Sequence, residues 1–169
     1  LDIDTTALDA GEADTIQADN ATKSITVNAG EGISTIDTGT KADTINSGGG
    51  NDVINSQAGL DNINAGSGND SITFDTEADF LTTLGTSTVD GGSGTDTLTF
   101  SAAATLVTSE LTNIDNVEVL SLATGSTLTV NDAFLAANPG LTIQPGATST
   151  IKASTATGDS LSTSLNIYS

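Results

Sequence analysis

A nine-residue repeat constrains this chain more than any other feature of its sequence. Over Ser47–Thr73 the chain reads SGGGNDVIN SQAGLDNIN AGSGNDSIT, and each nine places Gly at position four, Asp at position six and Ile at position eight. A further copy, GGSGTDTLT, fills Gly91–Thr99. One unit cannot bury its apolar residue alone, whereas stacked units can, so a fixed short period predicts a solenoid.

Each repeat divides into a loop of about six residues and a strand of about three. Side chains alternate along a strand, so the single Ile points inward and its two neighbours point outward. The outward neighbours are polar, as in Asn62 and Asn64, with Val53 as an apolar exception. The loop glycines suit a backbone that needs positive φ or has no room for a Cβ.

Two repeats form one turn of about 18 residues in such a coil, so loops two repeats apart lie over one another. Asp43, Asp61 and Asp79 then line one edge, and Asp52 and Asp70 line the other. Stacked carboxylates repel one another unless a cation neutralises them. A hard divalent cation with oxygen ligands is the natural candidate, and calcium tolerates irregular shells of 6–8 oxygens better than magnesium does.

The repeats resemble the repeats-in-toxin (RTX) nonapeptide GGxGxDxUx of calcium-binding β-helix proteins. The resemblance implies an all-β fold, a parallel β-roll or β-solenoid that holds several calcium ions between the loops of successive turns. The position-six Asp supplies side-chain oxygens and the loop backbone supplies carbonyls. The metal-site residues that the resemblance implies are Asp43, Gly48, Gly50, Asp52, Gly59, Asp61, Gly66, Gly68, Asp70, Glu77, Asp79, Gly92, Gly94 and Asp96. A Gly/Asn/Asp-rich linker is the alternative, but a linker would not keep Ile at a strict spacing.

The remainder of the chain is less regular. We predict an RTX-like β-roll over residues 1–100, strongest at 38–82 and 89–99, with a short insertion at Leu84–Asp90. Ala18–Thr26 keeps only Ile25 of the motif, and a two-residue slip follows it. Three phenylalanines lie at the edges of the strong repeats, where wider gaps have room for a ring. Two lysines occupy motif positions and either replace calcium by charge or are ordinary surface residues; they are Lys23 and Lys41.

From residue 101 onward glycine and aspartate become sparse. Alternation and β-branching predict strands within Thr112–Leu122, Ser126–Val130, Leu141–Ile143, Thr150–Ala153 and Ser164–Tyr168. Asn131–Asn138 reads as a short capped helix that Pro139 ends. Residues 101–169 are therefore expected to be a calcium-poor β-solenoid continuation or a β-rich cap, with a small β-sandwich as the competing interpretation.

Composition narrows the possible partners. The chain has 22 acidic residues against three lysines and a net charge of -19, which disfavours nucleic acid and anionic membranes. It contains no Cys and no His, so disulfides and zinc sites are excluded. No apolar run approaches a membrane span, and the start LDID is not a signal peptide. The lack of an initiator Met suggests a fragment or processed product.

Function is predicted from these features together. Without His, Cys or Arg, and without GxSxG, HExxH or P-loop patterns, the chain is expected to be non-enzymatic. The resemblance favours an extracellular bacterial cell-surface protein, either a surface-layer (S-layer) lattice protein or an adhesin, which self-associates or contacts neighbouring surface proteins. The alternative is a secretion and folding module of an exported protease, lipase or toxin. Ice binding is a minor third possibility, because the loops form no regular Thr array.

Overall fold

Parallel β-strands wind into a solenoid. The computed structural model describes residues 1–5, 12–82, 85–153 and 166–167. A six-stranded sheet contains, in spatial order, β1 (Asp2–Asp4), β3 (Thr26–Asn28), β5 (Thr44–Asn46), β7 (Asn62–Asn64), β11 (Thr88–Asp90) and β14 (Ile114–Asp115). An eight-stranded sheet contains β2 (Ala13–Gln17), β4 (Ile33–Asp37), β6 (Val53–Asn55), β8 (Ser71–Phe74), β12 (Thr97–Phe100), β15 (Val119–Leu122), β17 (Thr142–Pro145) and β19 (Asn166–Ile167). The predicted all-β parallel β-solenoid is confirmed.

Strand pairing through the strong repeats follows the two-repeat turn. Ile45 pairs with Ile63 in the six-stranded sheet, and Ile54 pairs with Ile72 in the eight-stranded sheet. All four side chains are at most 1% exposed. Because the strands are so short, this one inward residue is nearly all that each repeat adds to the core, about 1.5–3 kcal/mol by burial.

A longer turn follows β8. Hydrogen bonds between equivalent positions span 26 residues here instead of 18. The extra length forms α1 (Glu77–Phe80), β9 (Leu81–Thr82) and β10 (Gly85–Thr86), and the two strands pair antiparallel. The insertion therefore starts earlier than the predicted Leu84–Asp90, and residue 84 itself lies outside the described residues. Most of Leu84–Asp90 instead belongs to β10 and β11.

Three phenylalanine rings fill the coil where this longer turn departs from it. The ring centroid of Phe80 lies 5.1 Å from that of Phe74 and 5.4 Å from that of Phe100, both edge to face. Phe74 and Phe100 are paired in register on β8 and β12, and all three side chains are fully buried. The sequence-based expectation that wider gaps take a ring is confirmed.

The coil continues past residue 100 with a third wall. The eight-stranded sheet runs on without a change of direction, so that Leu98, Leu120 and Ile143 follow one another in register. A three-stranded parallel sheet joins it, formed by β13 (Thr105–Val107), β16 (Thr127–Val130) and β18 (Thr150–Ala153). Parallel pairing in continuous register is a solenoid feature, so the competing β-sandwich is wrong for the described part of this region.

The short elements of this region agree with the sequence-based prediction except at one turn. A short helix α2 (Asp132–Ala137) begins where predicted, and the Asn131 side chain caps it by accepting from the Phe134 N–H at 2.8 Å. A 3₁₀ turn occupies Thr108–Glu110. The predicted strand Thr112–Leu122 is instead two strands, because Asn116 adopts φ 52° between β14 and β15. Of the predicted Ser164–Tyr168, only β19 lies within the described residues.

The phase of the first repeats differs from the sequence-based assignment. Val27 pairs with Ile45 and takes the inward core position, which the sequence assigned to Ile25. Ile25 is buried as well, but its backbone N–H donates to the Asp43 carboxylate at 2.8 Å. The two-residue slip therefore lies before Val27. No helix in the described ranges is long and apolar enough to cross a membrane.

Candidate metal centre

Two rows of aspartates run along the coil, each residue immediately before a strand. Asp43 and Asp61 form the short row beside the six-stranded sheet, and Asp52, Asp70 and Asp96 form the long row beside the eight-stranded sheet. All five side chains are at most 2% exposed. Acidic side chains are almost never buried this completely unless a partner compensates their charge.

One oxygen of each aspartate is fixed by the preceding turn. In the long row the Asp52 N–H donates to Asp70 Oδ1, and the Asp70 N–H donates to Asp96 Oδ1, both at 2.8 Å. In the short row the Asp43 N–H donates to Asp61 Oδ1, also at 2.8 Å. These bonds set the orientation of each carboxylate, because they tie it to the equivalent residue one turn away.

The other oxygen of each aspartate accepts no hydrogen bond of normal geometry, although nearby serine hydroxyls (Ser34 and Ser47 at Asp52, Ser56 at Asp61) partly offset the rise in pKa of those two carboxyls. Asp43, Asp52, Asp61, Asp70 and Asp96 all have a buried Oδ2 without a hydrogen-bond donor. Burying an ionised oxygen unpaired costs several kcal/mol, so such groups occur in proteins together with counter-charges or bound metal ions. The two rows therefore present unsatisfied anionic oxygens at regular intervals along the coil.

In the short row, burial of Asp61 is the main cause of its raised pKa. Loss of hydration raises the pKa of Asp61 to about 7, and the charges of Asp43 and Asp79 add to the rise. Asp79 does not take its predicted place in this row. Ser87 takes that place instead, because the Asp61 N–H donates to Ser87 Oγ at 3.1 Å. Asp79 stands nearby and its Oδ2 accepts from the N–H and Oγ1 of Thr76, at 2.7 and 2.8 Å.

In the long row the carboxyl pKa is raised at every position. Burial raises the pKa of Asp70 to about 6, with the charge of Asp52 adding to it. Burial also raises the pKa of Asp96 to about 6, and the charges of Asp70, Glu118 and Asp90 add to that rise. The pKa of Asp52 is raised for the same first cause. Burial thus disfavours the bare anion at each of these carboxyls, and a proton or a bound cation relieves that cost.

Each of several loop glycines packs against a carbonyl oxygen of the equivalent loop one turn earlier. An ideal Cβ on Gly68 would lie 1.7 Å from the carbonyl oxygen of Gly50, and one on Gly94 would lie 1.6 Å from that of Gly68. Their φ angles are +133° and +141°, which L side chains rarely adopt. The same close approach to the preceding turn's carbonyl occurs at Gly48, Gly66 and Gly92 in the long row, and at Gly59 in the short row.

This donor set fits a hard divalent cation. Carboxylate and backbone carbonyl oxygens are calcium ligands, and calcium takes six to eight of them. Within the ranges that the structure describes, no group of three or more acidic side chains converges on one point. An ion held in these loops would therefore take part of its shell from the backbone carbonyls that lie against the glycines.

The structure separates the remaining predicted residues from the two rows. Glu77 lies on α1, and its Oε2 accepts from the backbone N–H of Thr105. Lys23 and Lys41 are exposed, as ordinary surface lysines are.

The sequence left the role of Glu118 open, although its Oε2 accepts from the Asp96 N–H at 2.8 Å and so continues the long row. The signal was present: Glu118-Val119-Leu120 repeats the spacing of Asp96-Thr97-Leu98.

Comparison with known families agrees with this geometry. Residues 28–61, 48–81 and 82–102 match the family described as RTX calcium-binding nonapeptide repeat (4 copies). Residues 28–102 of this chain therefore belong to the RTX repeat family. A search of curated proteins and a search of solved structures found no match. RTX repeats form calcium-binding β-rolls in secreted bacterial proteins, and this chain contains such a roll.

Proposed function

We propose that the chain is a calcium-stiffened structural segment of a bacterial cell-surface protein, in an S-layer lattice or an adhesin. The observation that carries the proposal is the set of five buried Oδ2 atoms without a partner. In this proposal the segment is not an enzyme: its acidic groups bind calcium, and the bound ions keep the coil rigid. It folds outside the cell, where calcium is available.

A comparison of energies supports calcium-dependent folding. Each strong repeat buries one Ile, which contributes about 1.5–3 kcal/mol. Each also buries one Asp, and moving a carboxyl pKa from 3.8 to about 6, as for Asp70, corresponds to about 3 kcal/mol at neutral pH before solvent screening. The two terms are of similar size. A bound cation removes the unfavourable one and so favours the folded state.

The proposed ligands are the residues that the two rows bring together. When bound, calcium supplies positive charge between successive loops. The carboxylates of the short and long rows would hold it, together with the stacked carbonyls. The residues are Asp43, Gly59 and Asp61 in the short row, and Gly48, Gly50, Asp52, Gly66, Gly68, Asp70, Gly92, Gly94 and Asp96 in the long row. Glu77 and Asp79 have other hydrogen-bond partners, so the proposal rests on the rest of the set.

The outer face of the eight-stranded sheet supports self-association. Its described outward residues are nearly all uncharged, in a chain whose net charge is -19. Asp37 is the exception, and its Oδ1 accepts from Gln57 Nε2 at 2.6 Å. Val53 is 48% exposed on this face. A surface with so few charges lets two copies approach with less of the repulsion that the rest of the molecule imposes.

Calcium titration tests the folding part of the proposal. Far-ultraviolet circular dichroism of chelator-stripped protein should gain β signal as calcium is added, with little response to magnesium. Spectra that are already fully β without metal and unchanged by calcium would overturn it. The roll would then be a metal-independent solenoid.

Assembly in calcium tests the surface role. Analytical ultracentrifugation and electron microscopy should show oligomers or sheets for the wild-type chain. Thr73→Glu places a charge on the uncharged face and should reduce assembly, whereas Asn64→Glu, at the matching position of β7, should not. Calcium-folded protein that stays monomeric would favour the secretion and folding module instead.

A further inference from the structure

The long row does not end at its last RTX loop. In the earlier turns the backbone N–H of one Asp donates to the Asp of the next turn, as Asp70 does to Asp96 Oδ1 at 2.8 Å. Asp96 makes the same bond at the same distance, but its acceptor is Glu118 Oε2. Glu118 therefore takes the place of the next Asp, although it lies beyond residues 82–102, the last segment that matches the RTX repeat.

A carbonyl oxygen reaches this place as well. An ideal Cβ on Gly91 would lie 2.1 Å from the carbonyl oxygen of Asn116 and 2.9 Å from Asp96 Oδ2, so both oxygens approach Gly91. Asn116 adopts φ 52°, and its Nδ2 donates to Asp90 Oδ1 at 2.8 Å. This bond ties the Asn116 turn to the loop of the preceding turn.

One of these oxygens is buried and unsatisfied. Asp96 is 0% exposed, and its Oδ2 has no hydrogen-bond partner. Here a carbonyl, an unpartnered carboxylate oxygen and a second carboxylate lie together, which repeats the donor chemistry of the preceding RTX loops.

We propose that Asp96, Glu118 and the carbonyl of Asn116 form an additional calcium site that closes the roll at the junction with the three-walled coil. The inference rests on the proposed function, since it assigns one more ion to the same row. Its distinguishing feature is that two of its three ligands, Glu118 and the Asn116 carbonyl, come from a turn without the RTX motif.

Ion counting tests the site separately from the roll as a whole. Native mass spectrometry and isothermal titration calorimetry give the number of calcium ions bound by the wild-type chain, Glu118→Gln and Glu110→Gln. Gln keeps an oxygen that accepts from the Asp96 N–H but loses the charge. Glu110 is the matched control, because its Oε2 also accepts a backbone N–H, that of Val107, at 2.8 Å.

We expect Glu118→Gln to bind one ion fewer than the wild type, or to bind it at least tenfold more weakly, and Glu110→Gln to match the wild type. An unchanged ion count and affinity in Glu118→Gln would overturn the site while leaving the roll's other ions in place. A wild-type chain that binds no calcium would overturn the proposed function itself.

Discussion

Replacing Asp70 with Asn should affect the calcium-free and calcium-bound proteins in opposite directions. The Asn side-chain oxygen can keep the hydrogen bond from the Asp52 N–H, which is 2.8 Å long in the wild type. The substitution replaces the unpartnered, charged Oδ2 with an uncharged NH2 group. Without calcium that charge is unfavourable, and in the proposed calcium-bound state it is a ligand.

The size of the calcium-free effect follows from the pKa. A shift from 3.8 to about 6 is worth about 3 kcal/mol at pH 8. Solvent screening lowers this value, and the new amide N–H costs about 1 kcal/mol if it stays unpaired. A net stabilisation of about 1–2 kcal/mol remains, which multiplies the ratio of folded to unfolded protein about 5–30 fold. In calcium at 100 times the dissociation constant, losing one ion costs about 2.7 kcal/mol.

Circular dichroism at pH 8 measures both effects. In chelator, Asp70→Asn should show more β signal than the wild type; in saturating calcium it should melt at a lower temperature. Asp19→Asn removes one charge from an exposed turn and should match the wild type in both conditions. A loss of β signal in chelator, or a wild-type melting temperature in calcium, would refute the reasoning.

Three further predictions concern pH, the loop glycines that pack against carbonyl oxygens, and the three buried phenylalanines. Burial raises the folded pKa of Asp61 to about 7, so its contribution to calcium-free stability is complete below about pH 4 and is lost as pH rises through 7. The β signal measured in chelator by circular dichroism should therefore increase as the pH is lowered from 8 to 5. Gly68→Ala puts a Cβ 1.7 Å from a carbonyl oxygen and should abolish the calcium-induced β signal, whereas Gly140→Ala, with nothing within 4 Å, should not. Phe80→Ala should lower the free energy of unfolding in calcium by about 3–5 kcal/mol in urea titrations, because it empties a fully buried ring site.

The strong repeats made most of the roll predictable from sequence. Where Gly, Asp and Ile coincide, the period alone placed the inward residues, and Ile54 and Ile72 pair as the spacing requires. The alternation of one buried and two outward residues is a local property of short strands, so it needs no knowledge of the rest of the fold. The same spacing correctly stacked Asp52 on Asp70.

Prediction was less successful where the spacing changes. The longer turn moved Ser87 into the row in place of Asp79, and no local signal states how many residues a loop holds outside the coil. The phase at Val27 was wrong because Ile25 and Val27 are both apolar, and only pairing with the next turn selects between them. Glu118 was left unassigned because its turn lacks glycines, although its carboxylate reaches the same position as an Asp.

The long turn between β8 and β12 also has a practical consequence. The sequence spacing between paired strands increases by the same amount in the six-stranded and the eight-stranded sheet there. The turn therefore accommodates α1 and the β9–β10 pair without disturbing the register on either side. The turn behaves as a natural insertion point in a scaffold with a fixed rise per turn. A foreign peptide grafted into this turn would be displayed at a defined height along the roll, and under the proposed calcium-dependent folding that display would form only in calcium.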